Sequence, residues 1–217
     1  MNVIAQFPEM LSRYGEKMLV LTLEHLVMCL IGVLLAIAVG VPLGIIMLRS
    51  PRLAVVIQTA AGVLQTIPSI ALLLLIMVLF GLGKDTAILA LFCYSLMPII
   101  QNTYTGLKTV DPNLIEAGTG MGMTVFQLLM MVQLPLALPV LIAGIRVAMV
   151  VSVGIATIAS FVGAGGLGDL ILRGIATVDD MKILAGAIPA ALLAIGADLL
   201  LDVVEKKLGV RTHTARM

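Results

Sequence analysis

The chain has no tryptophan, only two cysteines (Cys29 and Cys93) and only two histidines (His25 and His213). Each scarcity removes a class of function. Two cysteines inside apolar runs build neither a disulfide framework nor a thiolate metal cluster; both read as small buried hydrophobes. Isolated histidines support no metal site and no nucleophilic triad. Charged residues make up 12% of the chain, about half the share usual in a soluble domain. The 13 Lys and Arg against 12 Asp and Glu leave a formal net charge of +1, so no field of one sign favours nucleic acid. A Walker-type phosphate loop is missing as well, so ATP hydrolysis is not expected in this chain. No paired-carboxylate arrangement is recognisable, and the chain reads as a non-catalytic protein with no cofactor and no metal.

What the chain does have is apolar sequence: 61% of its 217 residues and a mean hydropathy of +1.19. Such a chain cannot cover its surface with polar groups, which excludes a soluble globule and a disordered chain alike. A bilayer core of about 30 Å needs roughly 20 apolar residues as helix. Uncharged stretches of that kind run over Leu26–Leu48, Leu53–Gly83, Thr86–Leu107 and Val147–Gly168, the last extending back to about Leu136. A fifth, Ile183–Val204, is interrupted by Asp198 and Asp202. Backbone groups in lipid must be satisfied within their own segment, so the expected fold is an all-α integral membrane protein with about five spans.

Residues 1–18 mix Glu9, Arg13, Glu16 and Lys17 with Phe7, Met10, Leu11, Tyr14 and Met18. That pattern suits an interfacial helix ahead of a membrane domain over 19–204, with a tail over 205–217. No basic region precedes the first apolar run, which is too long for a signal peptide. With the N-terminus outside, the inner side carries Arg49, Arg52, Lys108, Lys206, Lys207, Arg211 and Arg216, and the outer side Arg13, Lys17, Lys84, Arg173 and Lys182. The positive-inside rule then favours N-terminus out and C-terminus in.

Several spans carry packing devices. Gly40 and Gly44 form a small-xxx-small pair with Pro42 between them. Ala148, Ser152, Ala156, Ser160 and Ala164 recur every fourth residue and share one helix face. Two readings of that row stand: a close helix–helix seam, or a stripe facing a solute path. Candidate path-lining residues are Thr66, Ser69, Tyr94, Ser152, Ala156 and Ser160. Pro68 and Pro98 each remove a backbone donor and should kink their helices. Arg146 lies about 12–15 Å along its span from Pro135 at roughly 1.5 Å per residue, and Asp198 lies comparably deep from its own end. Unpaired charge at that depth costs several kcal/mol, so the two are expected to pair.

The segment over 108–135 is too long for a minimal turn. Asp111-Pro112 reads as an N-cap followed by proline at the first helical position. Gly118, Gly120 and Gly122 should weaken and end that helix. Thr124 and Gln127 fit a capping box that starts a second helix, which Pro135 is expected to stop. Met121, Met123, Phe126, Met130 and Met131 give this loop the adaptable apolar surface that suits a partner's groove.

Here the residues carry a resemblance. Glu116-Ala117-Gly118, then Gly122, then nine residues to Val132-Gln133-Leu134-Pro135 resembles the "EAA" signature of ABC-importer permeases. That signature reads Glu-Ala-Ala, three residues, Gly, nine residues, Ile, one residue, Leu-Pro. Gly118 replaces the second Ala, at about 1 kcal/mol in helix propensity, and Val132 replaces Ile. Further segments are similar to the osmoprotectant branch, which imports glycine betaine, carnitine or choline. They include Gln65-Thr66-Ile67-Pro68-Ser69, Gly120-Met121-Gly122-Met123-Thr124, Ala143-Gly144-Ile145-Arg146 and Gly163-Ala164-Gly165-Gly166-Leu167-Gly168-Asp169.

The resemblance implies a type I importer permease whose cytoplasmic EAA loop enters a cleft of the ATPase subunit. Glu116, Ala117, Gly118, Gly122, Met123, Thr124, Leu134 and Pro135 are the implied coupling residues. The implied partners are ABC ATPase subunits, a second permease chain (identical or homologous), an external solute-binding receptor and membrane lipid. The implied location is the bacterial inner membrane. Methionine-importer permeases share the size and the five spans, and an ion-coupled secondary transporter is a rival of another class. That rival would show a paired repeat or several deep ionisable residues, and no clear repeat is present.

Two signals are discounted. Gly163-x-Gly165-x-x-Gly168 matches a dinucleotide fingerprint, but that mechanism needs a preceding strand, whereas an apolar span precedes it here. It reads instead as a flexible exit from the fourth span, followed by an Asp169–Arg173 pair at helical spacing. Phe80, Phe92, Tyr94, Tyr104 and Phe161 are scattered along the spans and form no aromatic cage of the kind that holds quaternary ammonium groups. The permease is therefore expected to be a weakly selective passage, with the specific site on the receptor.

Overall fold

The computed structural model describes the backbone of residues 3–213 and the side chains of residues 10–208, and among the described residues there is no β-strand. Helix α1 (Val3–Ile46) ends in a 3-10 turn, Met47–Arg49, and α2 (Pro51–Thr66) and α3 (Ser69–Phe80) follow. Then come α4 (Lys84–Lys108), α5 (Pro112–Gly120) and α6 (Val125–Leu128). A π turn, Leu129–Gln133, leads into α7 (Leu134–Ile158), which closes in a 3-10 turn, Ala159–Val162. The chain finishes with α8 (Leu167–Thr177) and α9 (Asp180–His213).

Four helical stretches are long and apolar enough to cross a membrane, and the bent pair α2–α3 makes a fifth when counted as one span. The pair turns through 97° at Ile67-Pro68. Proline has no N–H and disfavours helix at the residue before it, which places the break there. The pair still carries the chain across. Gln58 meets Gln101 at 3.0 Å and Gln65 reaches the Tyr94 carbonyl at 3.3 Å, so α2 runs antiparallel to α4. At the other end of the bundle, the Gly83 N–H donates to Val162 O at 2.8 Å.

Helix α4 is the hub. A Cβ built on Gly32 would lie 2.8 Å from Leu91 Cβ, one on Gly40 3.0 Å from Ile99 Cγ2, and one on Gly44 2.6 Å from Thr103 Cβ. The constant offset makes α1 parallel to α4, and the glycines let the two backbones approach closely. On its other side α4 meets α7 in antiparallel register. Ser95 Oγ is 2.9 Å from Ser152 Oγ, and a Cβ on Gly144 would come within 2.5 Å of Asn102 Cβ. Outward faces are apolar and exposed, as at Leu34, Val56, Leu79 and Leu200, which suits a hydrocarbon solvent.

At both ends of the expected membrane domain the helices run on past its bounds. Helix α1 passes residue 18 without a break, and Met10, Tyr14 and Met18 pack with Leu167, Leu170 and Ala185. The expected interfacial segment is thus continuous in backbone with the first span, and part of its apolar face over residues 10–18 meets protein. Helix α9 likewise passes residue 205 and reaches His213; residues 214–217 lie outside the described residues. The fourth span ends at Val162, earlier than the expected Gly168, where Gly163 adopts φ +72°.

Gly144→Ala should destabilise the bundle by about 1–3 kcal/mol, the usual cost of overpacking a tight seam. Gly154→Ala, where an added Cβ meets nothing within 4 Å, should leave the melting temperature in detergent unchanged or raise it slightly.

Candidate functional site

The loop between α4 and α7 is built by local capping. Asp111 accepts from the Asn113 N–H at 2.9 Å and starts α5, with Pro112 in its first turn. Helix α5 closes as the Gly122 N–H donates to Thr119 O at 3.0 Å and the Met123 N–H to Gly118 O at 3.1 Å. Gly122 sits at φ +81°, a conformation that a Cβ resists. Gly118 is buried, and a Cβ there would lie 2.7 Å from Leu128 Cδ1 and 3.1 Å from Met123 Sδ. Glycine at this position therefore makes room for the second helix to fold back on the first, a gain that offsets its lower helix propensity.

Thr124 and Gln127 form the capping box in full. The Gln127 N–H donates to Thr124 Oγ1 at 3.2 Å, and the Thr124 N–H donates to Gln127 Oε1 at 2.8 Å. Pro135, however, does not stop the helix. Residues Val125–Val162 form one continuous helical stretch, with the π turn Leu129–Gln133 immediately before Leu134 and Pro135. Pro135 falls in the first turn of the segment after the π turn, a position where proline is tolerated. The loop's second helix and the fourth span are therefore one backbone rod. Glu116, Ala117 and Thr124 are exposed, Met123 and Leu134 half-buried and Pro135 exposed. Met121, Val125, Phe126 and Met131 present an exposed apolar surface beside them.

The path-lining candidates divide. Ser152 and Ala156 are fully buried and Ser160 nearly so; Ser152 bonds to Ser95, and Ser160 Oγ donates to Thr157 O at 3.0 Å. A Cβ on Gly168 would collide with Thr157 O. Within the chain the small row on α7 is thus a close seam with α4 and α8. Thr66 is exposed and Ser69 half-buried at the α2–α3 break. Tyr94 is buried, and its hydroxyl donates to Ile67 O, a carbonyl freed by the break. Gln65 Nε2 donates to Tyr94 O, the acceptor that Pro98 leaves without its helical N–H. Each proline break is thus capped by a side chain of the facing helix, as a membrane interior demands.

Arg146 Nε and Nη2 donate to the two carboxylate oxygens of Asp198 at 2.5 and 2.9 Å. Its Nη1 reaches Asp202 at 2.8 Å and Glu205 at 3.5 Å, and Lys206 meets Asp202 at 2.7 Å. The expected pair is therefore the centre of a larger network. Asp202 and Glu205 follow Asp198 at i+4 and i+7 on α9, a spacing that was readable in the sequence. At the opposite end Glu24 pairs with Lys84 at 3.0 Å and accepts from the Gly166 N–H at 3.4 Å. His25 is fully buried, with Nε2 3.0 Å from Val153 O; no sequence pattern pointed to it. Asp169 and Arg173 pair at 2.8 Å on α8. Asp179, between α8 and α9, is held below the usual carboxylate range by the Lys182 backbone N–H, with the Lys182 ammonium and the Tyr14 hydroxyl adding to it. Its stabilising contribution is present above the unfolded-state value and is lost as pH falls through the folded one.

Comparison with known proteins bears directly on this arrangement. Residues 30–210 match the family model described as "Binding-protein-dependent transport system inner membrane component". The chain belongs to that family. Among its relatives, the choline transport system permease protein OpuBD of Bacillus subtilis (strain 168) is 48% identical over 96% of this chain and 92% of its own length. The glycine betaine/carnitine/choline permease OpuCD of the same organism is 49% identical over 96% and 91%. The carnitine transport permease OpuCD of Listeria monocytogenes is 46% identical over 96% and 94%. Among solved structures, an inward-facing MetNI methionine ABC transporter chain aligns with a TM-score of 0.70 at 26% identity, covering 84% of this permease and 94% of that chain. An amino acid ABC transporter with histidines aligns at 0.76 and 19% identity, covering 91% and 96%, a likeness of fold. The permease is an integral inner-membrane transport subunit of the type I ABC importer class.

Arg146→Asp should lower the permease's melting temperature and its transport to less than half of the wild-type level. Asp198→Arg in the same chain should restore only part of this, because Asp202 and Glu205 still face the lost cation. Measured uptake and thermal melts of the two variants side by side test the network.

Proposed function

We propose that this permease forms half of the translocation path of an ATP-driven importer for glycine betaine, carnitine, choline or a related osmoprotectant. The observation that carries the reading is the 45–49% identity, over nearly the whole chain, to permeases named for those solutes. A second permease chain encloses the path, a separate ABC ATPase supplies the energy, and an external receptor delivers the solute. The loop end of the bundle faces the cytoplasm, which puts the N-terminus outside and the C-terminus inside. The Lys and Arg distribution agrees with this, as does an exposed apolar and Met-rich loop of the kind that docks in a partner's groove.

In mechanism, ATP-driven closure of two ATPase subunits displaces the loop. The rod Val125–Val162 carries that displacement into the spans, and the Arg146–Asp198 bond passes it from α7 to α9. Glu116, Ala117, Gly118, Gly122, Met123, Thr124, Leu134 and Pro135 shape or present the docking surface. Solute choice rests with the receptor: the scattered aromatic side chains provide no cage within the chain.

Glu116→Lys and Gly122→Pro should keep normal membrane levels yet lose receptor-stimulated ATP hydrolysis in the reconstituted complex. Full transport by both variants would contradict the coupling role. Permease and ATPase reconstituted without receptor should show no tight binding of betaine, carnitine or choline by calorimetry; a micromolar site there would move specificity into the membrane.

A further inference from the structure

We infer that the polar face of α2, backed by Gln101 of α4, is a water-exposed wall of the solute path, while the opposite face of α2 meets lipid. This rests on the reading of the chain as a transport subunit and assigns the path to residues other than the small row on α7.

Helix α2 is exposed on two sides of unlike chemistry. Gln58, Thr59, Gly62, Gln65 and Thr66 recur at one, four, seven and eight residues from the first, a spacing that gathers them on one helix face; Val55 is the apolar residue on that arc. Thr59, Gln65 and Thr66 are exposed, and an added Cβ on Gly62 meets nothing within 4 Å. Leu53, Val56 and Ala60, on the other side, are also exposed. Hydrocarbon tolerates the second set. The Thr66 hydroxyl donates to Val63 O at 2.7 Å and is satisfied in either medium, but the Thr59 hydroxyl and the Gln65 amide oxygen facing hydrocarbon would be left without partners, at a cost per group of several kcal/mol. Polar groups at membrane depth belong against protein or a water-filled cavity.

The face is also organised. Gln58 Nε2 donates to Gln101 Oε1 at 3.0 Å, and Gln101 Nε2 lies 3.5 Å from Thr105 Oγ1. This amide ladder bridges α2 to α4 and ends where Gln65 caps the Tyr94 carbonyl. Gln58, Thr59, Gly62, Gln65, Thr66 and Gln101 include no charged side chain. The wall therefore offers hydrogen bonds to water and to a small soluble molecule without the fixed charge that would retain a zwitterion or a quaternary cation.

Cysteines at Thr59, Thr66, Val56 and Ala60 would be introduced one at a time into the assembled permease–ATPase complex in proteoliposomes. Each complex is treated with a charged, membrane-impermeant thiosulfonate on both sides, and modification is read site by site by peptide mass spectrometry, so that Cys29 and Cys93 remain in place. Thiolate forms only where water reaches the sulfur, so Thr59→Cys and Thr66→Cys should react about tenfold faster, or more, than Val56→Cys and Ala60→Cys. Equal rates, faster reaction on the apolar side, or four unreactive sites (a dry interface between permease chains) would overturn the wall. The readout is the medium around each residue, not the solute carried. A complex that labels on the polar face but carries no osmoprotectant loses the proposed substrates alone. One that carries them and labels evenly loses the wall alone.

Discussion

A single continuous helical backbone, from Val125 through the π turn to Val162, is what the rest of the permease depends on. Without it the loop between α4 and α7 would be a tethered appendage, and motion at Glu116 would dissipate before reaching the spans. With it, a helix end dressed with Met121, Phe126 and Met131 is one body with a helix crossing the membrane. The capping box at Thr124 fixes where that body begins, and the turn at Gly122 fixes the angle at which α5 leans on it.

The remaining helices are arranged so that the rod has something to move against. Helix α4 holds α1 through glycine contacts and α7 through the Ser95–Ser152 seam, so the centre of the bundle is closely packed in the manner of membrane helices that lack a hydrophobic driving force between them. Helix α9 is joined differently, by the bidentate Arg146–Asp198 bond and its neighbours. Such a bond fixes register more than it adds stability. Helix α2 is broken from α3 at Pro68, and α4 lacks one backbone hydrogen bond at Pro98. Each break is closed by a side chain of the other helix, which keeps two deformable points without leaving orphaned carbonyls.

Much of this was legible in the sequence, for reasons that differ by element. The spans follow from hydropathy alone, and the loop's two caps from side chains that bond within three residues of themselves, so Asp111 and Thr124 behave as local chemistry dictates. Gly122 was readable because only a left-handed turn needs glycine there. Gly118 was misjudged as a mere loss of helix propensity, because its reason is Leu128 and Met123 packing across the bend. Pro135 was read as a stop because proline ends a regular helix; a π turn that absorbs it leaves no single-residue signature. Ser152, Ala156 and Ser160 were open between seam and path, since spacing gives a face but not its neighbour. The amide ladder of Gln58, Gln65 and Gln101 went unseen, because only the antiparallel register of α2 against α4 brings those residues together.

The most direct test is a distance. Spin labels at Val125 and Val151 would stand about 39 Å apart along the rod, at 1.5 Å per residue. They would be measured by double electron–electron resonance in the full permease–ATPase–receptor complex, nucleotide-free and trapped with ATP. An unchanged distance between the two states, with loop-to-α4 distances shifting between them, is the expected result. A Val125–Val151 distance that shortens on ATP binding would mean that the π turn folds under load, and that the loop and the fourth span are not one body.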